Sequence, residues 1–415
     1  MEINNILVCR EKKANLIKSY TNDYQVVTLK ANIVGENKNM KEAYILLSYF
    51  DKQIPNTYLK KEIHDDLDGP LVLYLFPNDK SLKEDMISLE TNNPLGRFVD
   101  IDVYFKDSKS LNRNALRKCY LCDNPAFVCG RNKTHSIDEL NNYLKQSVED
   151  HLLNIINNLC EDSILQELNL HPKFGLVTPY TNGSHKDMNY DIMIKAKNAI
   201  LPYFNLMFKE GYNSNYLSQI FQNIRKIGIE AENNMFSKTN GINAYKGLIF
   251  ALGLVVTSLS IKISHLTQNT TWNEYIRLMT YEITNELEKG TETFGKIAYQ
   301  KYQIKGARHQ AQDGFNIINE VVNKFNLDDD KSKTEALCYL INNIDDTVLL
   351  KRCNDIKYYY EVKDKFKNIS YNNINELNEY CINNNLSFGG SADLLIVSIF
   401  IKNINKIFNF DLFKE

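Results

Sequence analysis

Ser136-Ile-Asp-Glu-Leu-Asn-Asn-Tyr-Leu144 is where the texture of this 415-residue chain changes, and the fold class turns on it. Ser136 and Glu139 have the spacing of a capping box, and Leu140 and Leu144 follow four apart, so the stretch predicts the opening of a helix. Beyond it the pattern stays helical almost to the end. In Tyr216–Lys238, the residues Leu217, Ile220, Phe221, Ile224, Ile227, Ala231 and Met235 keep to a helical spacing, and Tyr275–Glu288, Phe315–Phe325 and Leu394–Ile407 read likewise. Before it, short β-type runs recur at Ile6–Cys9, Tyr24–Leu29, Leu71–Phe76, Met86–Glu90 and Phe98–Phe105. A helical pattern over Met40–Phe50 separates some of them, and turn signals such as Pro77-Asn78-Asp79 punctuate them. The chain therefore reads as an α+β part followed by a mainly α part, without internal repeat or long linker. We place the domains at residues 1–155 and 156–415, with the boundary inside 145–165.

Lys and Arg total 49 against 51 Asp and Glu, a formal charge of −2. That balance argues against nucleic acid and anionic membrane as general partners. An apolar share of 43% and a charged share of 24% exclude disorder for the bulk of the chain. The most apolar run, Leu248–Ile261, is 14 residues long and contains Thr257, Ser258 and Ser260. It is short of the ~20 residues that a bilayer requires and reads as a buried core helix. Met1–Lys12 has no charged stretch leading into an apolar one with a cleavage site. Together with only eight Cys, this reads as a reduced, cytoplasmic protein.

Val99–Phe105 has strand propensity, so Asp100 and Asp102, two apart, share one face. Adjacent carboxylates repel, and Mg²⁺ relieves the repulsion by taking one or two carboxylates plus substrate phosphates, a device suited to nucleotidyl transfer. An exposed acidic strand is the plain alternative. Gly96 and Arg97 just before the strand supply a tight turn and a fixed cation for a pyrophosphate. Cys119, Cys122, Cys129 and His135 have the spacing Cys-x2-Cys-x6-Cys-x5-His, which fits a Cys3His zinc array; reduced structural thiols are the other reading.

These pieces carry a resemblance. Ile6-Leu-Val-Cys-Arg-Glu11, Pro94-Leu-Gly-Arg-Phe-Val-Asp-Ile-Asp102 and Arg117-Lys-Cys-Tyr-Leu-Cys122 are followed by Cys129, Arg131 and Lys133-Thr-His135. In this order they resemble the apo-citrate lyase phosphoribosyl-dephospho-CoA transferases, the citrate lyase holo-acyl-carrier-protein synthases, over nearly all of residues 1–145. The resemblance implies transfer of a triphosphoribosyl-dephospho-CoA group to a serine of the apo acyl carrier protein, the gamma subunit of citrate lyase, with release of pyrophosphate. Asp100 and Asp102 would then hold Mg²⁺ at the α-phosphate. Arg97 or Arg10 would meet the pyrophosphate, with Gly96 and Arg131 on the substrate side.

Five polar clusters interrupt the helices further on. They are His171-Pro-Lys173-Phe-Gly-Leu-Val with Asn182-Gly-Ser-His185-Lys-Asp187-Met188; Gly228 and Glu232 leading to Asn243-Ala-Tyr-Lys246-Gly247; Gly306-Ala-Arg308; Asp345-Asp346-Thr347 with Arg352; and Gly389-Gly390-Ser391-Ala-Asp393. Singly they read as loops and caps: Glu232 as a rim charge, Ser391 or Asp393 as the N-cap of the last helix. Together, and in this order, they resemble the triphosphoribosyl-dephospho-CoA synthases over about residues 165–400. That resemblance implies condensation of ATP with 3′-dephospho-CoA and release of adenine. It implies Lys173, Lys246 and Arg308 for phosphates, and Glu232, Asp187 or Asp346 for a metal or for the oxocarbenium-like charge. His185 would assist the departing adenine or orient its loop, and Asn182, Asn243, Gly389, Gly390, Ser391 and Asp393 would line the substrate site. The chain departs from the family at Ala244-Tyr245, where Thr-His is usual, at Phe174 and Phe388, where Pro is usual, and at His309, where Gly is usual. The two families act in sequence on one compound, so the expectation is one bifunctional enzyme. The Tyr245 departure leaves open a chain in which only the transferase half works, and the Cys3His spacing leaves open a zinc-stabilised binding module.

Overall fold

A computed structural model of the chain describes residues 2–78, 82–105, 116–214, 216–281, 294–367, 369 and 373–414. Two compact units are formed, Met1–Asn154 with Ile263–Asn269 and Asn405–Glu415, and Ile155–Lys262 with Thr270–Ile404.

The first unit is built on a four-stranded sheet. Its elements are α1 (Glu2–Tyr20), β1 (Gln25–Ala31), α2 (Lys41–Asp51), β2 (Lys60–His64), β3 (Leu71–Phe76), α3 (Lys83–Asn92) and β4 (Val99–Tyr104). The strand order is β2-β3-β1-β4 with every neighbouring pair antiparallel, which leaves β4 at an edge. Along β4, Val99, Ile101 and Val103 are buried while Asp100, Asp102 and Tyr104 alternate with them, half-buried on the other face. Directly opposed residues share a face. Asp102 therefore lies in a row with Thr28 and Leu73, and Asp100 in a row with Lys30 and Leu71. Leu16, Ile17 and Tyr20 of α1 pack on this same face against Val26, Leu73 and Leu75. On the opposite face, Asp51 of α2 accepts hydrogen bonds from Tyr74 (2.7 Å) and Lys61 (2.9 Å).

Two of the runs with β character are helical instead. Ile6–Cys9 lies in α1 and Met86–Glu90 in α3. A four-residue apolar run has no period of its own; Ile6 and Cys9 continue at helical spacing through Lys13, Leu16, Ile17 and Tyr20. Leu7 and Val8, which made the run look like a strand, stay exposed. Conversely, β2 was not legible because Lys60-Lys-Glu-Ile-His64 is nearly all polar. Of the turn and helix signals, Asp79 and residues 282–288 lie outside the described residues.

After α4 (Ala126–Asn132) comes α5 (Ile137–Asn169), opened by the anticipated capping box. The Glu139 carboxylate accepts from the Ser136 N–H (2.8 Å), and the Ser136 hydroxyl accepts from the Glu139 N–H (3.1 Å). The division between the units, at Asn154 and Ile155, falls within this helix. The second unit contains no strand among the described residues. Its helices include α6 (Tyr190–Asn213), α7 (Leu217–Lys238), α8 (Lys246–Ser264) and α9 (Trp272–Thr280), and later α10 (Ala307–Gln312), α11 (Thr347–Cys353), α12 (Ile356–Phe366) and α13 (Gly389–Ile407). At 19 residues α8 is longer than its apolar run suggested, and among the described residues it alone has the length and apolarity of a membrane span. It is nonetheless a core helix, with 83% of its apolar window buried within the fold. Its hydroxyls are satisfied internally: Thr257 donates to the Gly253 carbonyl (2.8 Å), Ser258 to Val255 (2.9 Å) and Ser260 to Thr257 (2.7 Å).

Candidate active sites

In the first unit the Asp100–Asp102 face is ringed by bases. Lys30 opposes Asp100 across the β1–β4 pair. Arg117 donates to Asp100 Oδ1 (2.7 Å) and to Glu90 Oε1 (3.1 Å), and the same Glu90 oxygen accepts the Ile101 N–H (2.6 Å). Glu90 thus fixes both the strand and the arginine. Arg10 donates to Asp68 (2.8 Å), which also pairs with Lys30 and lies 3.7 Å from the Lys13 ammonium. Burial alone would raise the Asp68 carboxyl, but hydrogen bonds from Lys30 and Arg10 hold it below the usual carboxylate range. Burial together with the charges of Asp102 and Asp100 pushes the Tyr104 phenol up to about 12. Arg97 donates to the Cys119 carbonyl, and its guanidinium lies 5.5 Å and 5.9 Å from the ring centres of Tyr120 and Tyr143. Gly96 has a packing reason, since a Cβ there would run into the Glu90 backbone. Arg131 lies beside Phe127 on α4, 5.6 Å from the ring centre.

Cys119, Cys122, Cys129 and His135 converge, their ligand atoms all within 4.8 Å of one another. Desolvation acts to raise the Cys119 thiol, but N–H groups of Leu121 and Cys122 directed at its sulfur bring it below its ordinary value. Burial, then the neighbouring thiols, push Cys129 up to about 11.

In the second unit, α7, α8 and Arg308 of α10 enclose a cavity of about 340 Å³. Its floor is apolar, with Met207, Phe221, Ile224, Ile249 and Leu254, and its polar groups are Arg225, Glu232, Lys246 and Arg308. Glu232 and Lys246 are paired at 2.6 Å. Asn243 accepts the Lys246 N–H (3.2 Å) and so shapes the start of α8. The sequence reading therefore brought three of the four polar lining residues together. Arg225 escaped it because it sits in no polar cluster, although it lies seven residues before Glu232, two helical turns along the same face.

The remaining clusters form a polar network within the helices. Lys173 is buried and donates to Glu167 Oε1 and to the Glu167 carbonyl, both at 2.9 Å. Its ammonium is committed to Glu167, and burial lowers its pKa despite that partner. Removing one partner of such a buried pair costs about 3–5 kcal/mol, so Lys173 and Glu167 hold each other in the fold. Asp346 is an N-cap: Oδ1 accepts Val348 (2.9 Å) and Leu349 (3.1 Å) at the start of α11, while Oδ2 accepts Ser391 N–H (2.9 Å) and Oγ (3.1 Å). Gly389 opens α13, Gly390 faces the Asp346 carboxylate, and Ser391 and Asp393 lie inside the helix, not at its cap. Loss of water, then Glu167 and Asp346, raise the Asp393 carboxyl well above the usual range. That carboxyl lies where any Cβ on Gly247 would stand, so Gly247 ties this network to the cavity residue Lys246.

His185 sits in the loop beside this network. Its Nδ1 accepts Arg352 (2.8 Å), which places the proton on Nε2, 3.2 Å from Ser387 Oγ. Desolvation, then the Arg352 charge, push the imidazole down to about 4. Asn182 and Asp187 are exposed on the same loop. Three of the departures from the family pattern, Phe174, Phe388 and Tyr245, are accommodated in the core. Phe174 and Phe388 both contact Phe366, at 5.7 Å and 4.8 Å between ring centres, and Tyr245 is buried. His309 is half-buried and lies against Tyr299, the ring centres 4.0 Å apart and the planes tilted by 38°.

Residues 1–151 match the family of apo-citrate lyase phosphoribosyl-dephospho-CoA transferases, and residues 154–411 match the ATP:dephospho-CoA triphosphoribosyl transferases. Among curated relatives, the chain is 31% identical to Protein CitXG of Leuconostoc mesenteroides, over 81% of each chain. It is 30% identical to Protein CitXG of Haemophilus influenzae, over 95% of this chain and 94% of that one. The 2-(5''-triphosphoribosyl)-3'-dephosphocoenzyme-A synthase of Haemophilus ducreyi is 33% identical over 68% of this chain and 98% of its own length.

Proposed function

Since the chain belongs to the family that joins an apo-citrate lyase phosphoribosyl-dephospho-CoA transferase to an ATP:dephospho-CoA triphosphoribosyl transferase, we propose how its two units divide the chemistry. It is a bifunctional transferase of citrate lyase prosthetic-group biosynthesis. The helical unit takes ATP and 3′-dephospho-CoA. The ribose 2′-hydroxyl of dephospho-CoA replaces adenine at the anomeric carbon of the ATP ribose, leaving the triphosphate attached. The observation that carries this reading is the α7–α8 cavity, where Arg225, Lys246 and Arg308 face an apolar floor. Three cations suit a triphosphate, and the floor suits a base and ribose. Glu232 supplies the carboxylate that stabilises positive charge at the anomeric carbon.

The sheet unit then joins the product to a serine of the apo acyl carrier protein, with pyrophosphate leaving. Asp100 and Asp102 are hard oxygen donors on one strand face, a set that fits Mg²⁺. Such an ion would neutralise charge at the phosphorus. Arg117 orients Asp100, and Lys30, opposite Asp100 on β1, together with Arg10, would supply positive charge for the leaving pyrophosphate. Incubating the full chain with ATP, dephospho-CoA, Mg²⁺ and apo carrier is expected to release adenine and pyrophosphate and to add the group to the carrier, read by intact mass. Adenine release that needs no carrier, and pyrophosphate release that does, is the expected pattern. A carrier of unchanged mass beside free adenine would remove the transferase assignment alone.

A further inference from the structure

We propose that Cys119, Cys122, Cys129 and His135 bind one zinc ion, and that this ion positions Arg117 and the Cys119 carbonyl against the aspartate strand. Three observations point there. The first is geometric. Cys122 Sγ lies 3.4 Å from Cys129 Sγ and 3.4 Å from His135 Nε2, and all four ligand atoms fall within 4.8 Å. A tetrahedral zinc with Zn–S near 2.3 Å and Zn–N near 2.0 Å sets its ligands roughly 3.5–3.8 Å apart. Small adjustments of side-chain rotation close the difference. Three sulfurs and one imidazole favour zinc over the hard cations Mg²⁺ and Ca²⁺.

The second is the backbone. Cys119 and Cys122 lie in a turn closed by Cys119 N–H to the Asn124 carbonyl and Ala126 N–H to the Arg117 carbonyl, both 2.8 Å. Cys129 comes from α4, and the left-handed Lys133 (φ 48°) turns the chain so that His135 comes back toward it. The third is what the segment lacks. Between Leu116 and His135 only Cys119, Cys129 and few other side chains leave solvent, and Leu116, Leu121 and Phe127 are exposed. A segment that buries so little apolar surface needs a cross-link to hold one shape. All eight cysteines are free thiols, so no disulfide provides it.

The turn's outward contacts give the ion its consequence. Arg117 at its start holds Asp100 and Glu90, the Cys119 carbonyl accepts Arg97, and the Tyr120 hydroxyl donates to the Asn32 carbonyl (2.5 Å). The consequence for activity rests on the transferase reading above; the binding of zinc does not.

The test uses the full chain purified without chelator. Elemental analysis is expected to give one zinc per chain, unchanged in C9S, whose thiol lies on α1, and lost in C122S and C129S. Replacement of zinc by cobalt in the unmutated chain is expected to give the strong visible absorption of tetrahedral thiolate coordination, which does not depend on how the variants fold. C122S is further expected to lose carrier modification at least tenfold while releasing adenine at the parental rate. Zinc well below one per chain with no cobalt absorption, or a Cys122–Cys129 disulfide in peptide mapping, would overturn the site. Zinc loss with undiminished carrier modification would overturn the positioning role, whatever the fate of the synthase reading.

Discussion

His185 is held as a neutral base, and that state has a measurable signature. Arg352 donates to Nδ1 and the Nε2 proton faces Ser387, so the ring has no room for a second proton without losing the arginine. Desolvation and Arg352 take it down to about 4, from about 6.5 in the unfolded chain. Between those values the unfolded chain binds the extra proton and the folded one does not. Stability is therefore fully present above about pH 6.5 and falls as the pH drops toward 4, by roughly 3 kcal/mol at most. Calorimetry at pH 7 and pH 5 is expected to show a smaller loss of melting temperature in His185→Gln than in the parent. Equal losses would mean that other groups carry the acid sensitivity. An imidazole so held is a poor acid for departing adenine near neutral pH and a good orienter of its loop. The sequence offered His185 for both roles because a histidine in a polar loop looks the same in either; the partner that sets its protonation, Arg352, lies 167 residues away. Lys173 teaches the same thing. Its motif was legible, but whether an ammonium meets a phosphate or Glu167 depends on which carboxylate the fold brings next to it.

At the scale of elements, the join between α3 and β4 carries the candidate transferase site proposed above. Gly96 lets the chain pass against the Glu90 backbone, and Glu90 reaches back to hold the Ile101 N–H and Arg117. A side chain at residue 96 must push α3 away from the strand, and overpacking of this kind costs about 1–3 kcal/mol. Gly96→Ala is thus expected to lower the melting transition of the first unit and to slow carrier modification, with adenine release at the parental rate; paired calorimetry and product assays read all three. An unchanged transition would show that the crossing can give way. What was legible here followed side-chain period: β1, β3, β4, α2 and the Ser136 capping box all have clear patterns. What was not legible followed from short or charged runs. Ile6–Cys9 is too brief to reveal whether it alternates or winds, and β2 pairs through its backbone beneath a charged sequence.

At the scale of the molecule, each candidate site draws its residues from one unit. The cavity residues all belong to the second unit, and the aspartate strand, its bases and the Cys/His cluster all belong to the first. The near-zero net charge is compatible with this arrangement, since a site for phosphates needs only local cations such as Arg225, Lys246 and Arg308 and no net positive chain. Sites that share no residue should fail independently. Asp100→Asn is expected to abolish carrier modification and keep adenine release, and Lys246→Ala to cut adenine release by about 10²-fold, the scale of one lost preorganised polar contact in an active site. An equimolar mixture of the two variants then makes the intermediate on one chain and uses it on the other. Intact-mass analysis of the carrier is expected to show modification in the mixture well above either variant alone. If the mixture stays as inactive as its parts while each variant keeps its remaining activity, the intermediate does not pass between chains, and the fusion of the two units is itself a part of the reaction.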